Sequence, residues 1–174
     1  MRLKRLSTGA GIRDDVRSSG RKAVGDFDRG RDAMNPTSSI RQRLDEARNL
    51  AETLTAAFDA FDEMLSAFDR YQNGSGPFYA ALVMASPAAA GGRNTIGMAP
   101  SLPPPERDRP RPPEPVNEPT AQEVADAVAV VAALAARKLR IAAAAATSAA
   151  DRSACVEAAQ YADEVRGFMT GTGP

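Results

Sequence analysis

The segment Ser39–Tyr71 reads SIRQRLDEARNLAETLTAAFDAFDEMLSAFDRY, and its spacing decides the fold class. Ile40, Ala47, Leu54, Phe61 and Phe68 recur every seventh residue, and Leu44, Ala51, Phe58 and Leu65 each follow four residues later. Apolar positions that alternate at four and three residues share one face of an α-helix. A third column, Leu50, Ala57, Met64 and Tyr71, runs beside them. A stripe that wide belongs to a helix with two or more neighbours, not to half of a two-stranded rod. Burying a Leu, Ile, Phe or Met fully is worth roughly 1.5–3 kcal/mol, so this helix, expected over 39–71, needs a partner. The predicted fold class is all-α.

The polar side of the same segment is acidic. Residues 44–76 carry a net charge of −5, while residues 1–43 carry +6, although the whole chain of 174 residues is neutral. Asp59, Asp62, Glu63 and Asp69 lie off the apolar stripe and read as a solvated face. A docking face for a basic segment is the sharper alternative.

Upstream, Asn35-Pro36-Thr37-Ser38 is a helix-start signal. Residues 1–36 read as a flexible, disordered basic arm, with glycines throughout and too few large apolar residues to offset the entropy of ordering. Arg2, Lys4, Arg5, Arg13, Arg17, Arg21 and Lys22 are its candidate anion contacts. Nucleic-acid phosphates are the ligand such an arm would suit. Five Asp residues dilute it, and Phe27 is its only aromatic. A tail resting on the acidic helix is the plainer reading.

Downstream, Gln72–Pro77 reads as a turn, its Gly74-Ser-Gly76 lacking the lysine and the preceding strand of a phosphate loop. Phe78–Ala85 reads as a short apolar helix folded back on the long one. Residues 100–119 hold nine prolines and read as a semi-rigid linker of polyproline II type. Pro103-Pro-Pro105 and Pro110-Arg-Pro-Pro-Glu-Pro115, with Arg107, Arg109 and Arg111, also have the composition of peptides that dock in aromatic grooves. Thr120-Ala-Gln-Glu123 has capping-box spacing. The helix it starts is Ala-rich, and Val124, Val128, Val131 and Leu134 are its larger apolar groups. Ser148-Ala-Ala-Asp151 is a second cap signal. One helix running to Val165, or two helices split near residue 147, both fit the pattern. The expected pairing sets the bulky stripe of the first helix against the smooth alanine face. The organisation is thus an arm (1–36), a long plus a short helix (37–98), a Pro-rich linker (99–119) and an Ala-rich helix or helix pair (120–170).

Composition narrows the chemistry. With no histidine and one cysteine, the chain cannot build a Ser-His-Asp or Cys-His centre, a Cys/His zinc site or an internal disulfide. The longest unbroken apolar run, Ala127–Ala136, is ten residues, against about 20 for a membrane span. A cytoplasmic, non-enzymatic helical interaction or assembly module is therefore expected, with no cofactor, no metal and no membrane contact. Its partner is another protein or a second copy, and its packing surface is Ile40, Leu44, Leu54, Phe58, Phe61, Leu65, Phe68, Val124, Val128, Val131 and Leu134. A nucleic-acid accessory protein using the N-terminal arm is the alternative.

Overall fold

The computed structural model describes residues 36–71, 77–104 and 119–172. The arm residues 1–35, the Gly74-Ser-Gly76 turn and residues 105–118 of the linker lie outside the described residues. The described residues form five α-helices: α1 (Pro36–Glu46), α2 (Leu50–Tyr71), α3 (Pro77–Gly97), α4 (Ala121–Ala145) and α5 (Ala149–Thr170). No strand occurs among the described residues.

The helix expected over 39–71 is two helices. Asn49 breaks it: its side-chain oxygen accepts from the Glu52 N–H at 2.9 Å, and the Glu52 carboxylate accepts from the Arg48 N–H at 2.8 Å. This reciprocal cap satisfies donors that a helix start leaves open, and so makes a start at residue 50 favourable. The chain turns there, and α1 runs back along α2. Arg43 of α1 meets Asp59 of α2 at 2.6 Å, while Ile40 and Leu44 stay buried. Lys138 of α4 donates to the Asp45 carbonyl at 2.8 Å, a cation placed on the C-terminal end of α1.

α3 is more than twice as long as the expected Phe78–Ala85, and Pro87 lies inside it. Alanine and glycine carry the helix on to Gly97 because it is packed on two sides. A Cβ added to Gly92 would lie 2.3 Å from the buried Phe61 ring of α2. A Cβ added to Gly91 would lie 2.7 Å from the Tyr161 ring of α5. Two glycines that cost helix propensity are thus the floor on which two aromatic rings rest.

Capping fixes the C-terminal half. Thr120 and Glu123 form the full capping box, and Ser148 accepts from Asp151 to start α5 after a break at Ala146–Ser148. The Ala-rich region is therefore split. Gly171, in the left-handed conformation, ends α5.

Paired residues give the directions. Gly91 meets Tyr161 and Ser101 meets Asp151, so α3 and α5 are antiparallel. Phe61 meets Gly92 and Phe58 meets Gly97, so α2 and α3 are antiparallel. Tyr71, at the end of α2, donates to the Pro119 carbonyl before α4 at 2.7 Å. Asp45, just before α2, meets Arg137 late in α4, so α2 and α4 are antiparallel too. The four long helices stand in the order α2, α3, α5, α4 around one core, and α1 covers the α2–α4 groove. The order along the chain is up-down-down-up, which requires one long crossover, from α3 to α4. The stripe of α2 does meet α4, but α2 packs more extensively on α3, and α4 packs most extensively on α5. Two alanine-lined helices approach each other closely, and the large rings of α2 find the deeper floor in α3.

Gly92→Ala is expected to destabilise the protein by about 1–3 kcal/mol, because overpacking against a buried ring outweighs the gain in helix propensity. Gly91→Ala should cost less, since the half-exposed Tyr161 ring can move aside. Urea melts of the two variants measure the difference, and equal costs would contradict this packing.

Candidate functional site

The residues expected to pack do so to different depths. Ile40, Leu44, Leu54, Phe61, Phe68, Val124, Val128 and Val131 are buried, while Phe58, Leu65 and Leu134 are half-buried. The difference is one of direction. Phe58 faces outward beside α3: the Arg93 guanidinium lies 4.7 Å above its ring and bonds Asp62 at 2.7 Å. Leu65, one heptad on, shares that side. The third column expected to flank the stripe supplies Ala57 and Met64, both buried. The candidate anion contacts Arg2, Lys4, Arg5, Arg13, Arg17, Arg21 and Lys22 lie outside the described residues.

Phe58 and Leu65 open onto a seam between α2 and α3. Towards the C-terminal end of α2 the seam deepens into a groove of about 200 Å³ lined by Phe68, Asp69, Leu82, Val83, Ser86 and Pro87. The flank of α3 above it exposes Tyr79 (43%), Val83 (44%) and Met84 (58%), and Ala80 and Pro87 are exposed between them. Elsewhere large apolar groups are exposed singly, at Met98, Val130, Ile141 and Val156. Single exposed apolar residues are ordinary; a contiguous group beside a groove marks a contact surface. Its signal in the sequence, the apolar run at 78–85, was read only as a short helix folded back on the long one.

The acidic groups do not form a metal centre. Asp59 pairs with Arg43 and Asp62 with Arg93, and no group of three or more potential metal ligands occurs among the described residues. Both pairs keep contact with solvent and are worth about 1 kcal/mol or less each. Asp69 remains at the rim of the groove, where it favours a basic group on anything bound there.

Two buried chemical groups lie at the opposite end. Asp151, 1% exposed, accepts from the Ser101 N–H at 3.0 Å and from its hydroxyl at 2.8 Å. It thereby ties the end of α3 to the start of α5, a structural task. One turn on, Cys155 is fully buried, and burial first and the Asp151 charge second push its thiol from 9.0 to about 11. A protonated, enclosed thiol is a poor nucleophile.

No described helix is long and apolar enough to cross a membrane. Comparison with protein-family models, with curated proteins and with solved structures found no match.

The thiol makes stability depend on alkaline pH. Folding favours its protonated form, so the unfolded chain ionises first, and this contribution should fall between about pH 9 and pH 11. A shift of two units corresponds to about 2–3 kcal/mol. Urea melts across that range should show a slope that Cys155→Ala lacks; identical slopes would remove the thiol from the account.

Proposed function

We propose that the protein is a non-enzymatic α-helical interaction module whose working surface is the α2–α3 seam. The ligand it suits is an extended, proline-rich peptide segment bearing a basic residue. The observation that carries this reading is the contiguous apolar flank of α3 beside the groove floored by Phe68 and Leu82. Polyproline II segments are already extended and lose little entropy on binding, and they dock against aromatic and apolar ridges. Tyr79 supplies exposed aromatic surface, and Asp69 supplies the charge for an arginine or lysine. A cytoplasmic setting belongs to this proposal, and an unpaired, buried cysteine suits a reducing compartment.

A fluorescently labelled proline-rich peptide of about twelve residues with two arginines tests the reading by anisotropy. Saturable binding is expected, weakened at least tenfold by Val83→Asp. Val83 is half exposed, so the variant should keep its melting temperature. Absence of binding at millimolar protein, or binding indifferent to Val83→Asp, would overturn the proposal.

A further inference from the structure

We propose that the outward crest of α3 is a self-association surface, on which α3 of a second copy lies antiparallel. This goes beyond the peptide reading: the crest is the outer edge of α3, whereas the groove lies on its α2 side.

Charge singles the crest out. α3 bears one charged residue, Arg93, which is held over Phe58 and against Asp62. The other long helices expose charge along their length: Asp62 and Asp69 on α2, Arg137 and Arg140 on α4, Glu157 and Glu164 on α5. A helix laid along any of those would strip water from charges, at a cost that α3 does not impose.

Spacing makes the occupant a single helix. Ala80, Val83, Pro87, Ala90 and Asn94 follow one another at three and four residues along the outside of α3. Ala90 is half-buried and the other four are exposed. Such a narrow seam is what one partner helix covers, unlike the wide stripe of α2.

The two ends of the seam complement each other when one copy is reversed. In an antiparallel pair centred between Ala88 and Ala89, Val83 of each copy lies opposite Asn94 of the other, and Pro87 lies opposite Ala90. Pro87 has no N–H, so α3 cannot supply the donor that the Val83 carbonyl would take from residue 87. Asn94 is the one seam residue with a side-chain donor, and in this register the second copy brings it to that carbonyl. A single polar residue in an apolar seam also fixes the register. Met98 continues the helical spacing, its N–H donating to the Asn94 carbonyl at 3.2 Å. It is 84% exposed, Tyr79 is 43% exposed, and the pairing sets the thioether of one copy against the ring of the other. Each contact occurs twice, as a two-fold dimer requires.

The size of the crest sets the strength. The 21 residues of α3 make a crest about 31 Å long and about 10–12 Å wide. It projects about 300–400 Å² per copy, against about 800 Å² for a stable interface. The dimer is therefore weak and reversible. Val83 and Pro87 border both crest and groove, so a second copy and a bound peptide compete.

Sedimentation equilibrium of the full chain from about 10 µM to about 1 mM reads the association. A monomer–dimer equilibrium is expected, and a strict monomer throughout would overturn the proposal. Asn94→Asp replaces a donor with a charged acceptor at an exposed position, so the melting temperature of the dilute protein should hold while dimerisation weakens about tenfold or more. Dimerisation indifferent to Asn94→Asp would also overturn it. Register is read by mild oxidation of a mixture of two full chains of different tag size, one with Val83→Cys and one with Asn94→Cys; Cys155 is buried. Disulfides should join the unlike chains. Links mainly between like chains, or none, would exclude the antiparallel pairing. Asn94 does not line the groove, so the two readings separate: peptide bound by a chain that never dimerises removes only this inference, and a dimer that binds no peptide removes only the other.

Discussion

Close approach at Gly91 and Gly92 is the constraint on which the bundle depends. Phe61 of α2 and Tyr161 of α5 lie against the bare backbone of α3 at these two residues. A side chain at Gly92 would hold α2 away, and one at Gly91 would press on α5. Packing in protein interiors is dense enough that such a displacement spreads to neighbours. With α3 seated, Leu82, Ala85, Ala89 and Ile96 are buried between α2 and α5, and the four-helix core closes. The glycines cost helix stability locally and recover it through contacts on both sides.

Much of this architecture was legible in the pattern of residues, and the parts that were not have physical reasons. The stripe from Ile40 to Phe68 announced a helical, multiply packed element because periodicity survives any choice of partner. The break at Asn49 was overlooked because the apolar period continues across it. Only the cap made with Glu52 betrays it, and a polar residue three before a Glu is a weaker sign than an unbroken stripe. The length of α3 was hidden for the opposite reason. Alanine, glycine and an internal proline carry little periodic signal, and tertiary packing decides whether such a stretch is helical. Capping chemistry was the reliable guide at the other end: Thr120 and Ser148 both start helices.

The candidate surface was legible only in part. Phe58 and Leu65 belong to the stripe by spacing, so they were expected to be buried with it. A heptad column does not say which of two neighbouring helices it faces, nor whether it meets the centre or the edge of a contact. In this bundle the column points to the outer α2–α3 seam, and Arg93 covers Phe58 only from one side. The flank of Tyr79, Val83 and Met84 could be recognised as exposed only once α3 had been placed between α2 and α5.

The proline content of the connection follows from the same arrangement. An up-down-down-up bundle needs one segment that spans its whole length without entering the core. A flexible segment could do so, at the entropic cost of confining it; proline lowers that cost by restricting the unfolded chain as well. The property that suits a stiff spacer, an extended backbone fixed before any contact forms, also makes polyproline II a ready ligand for an apolar groove.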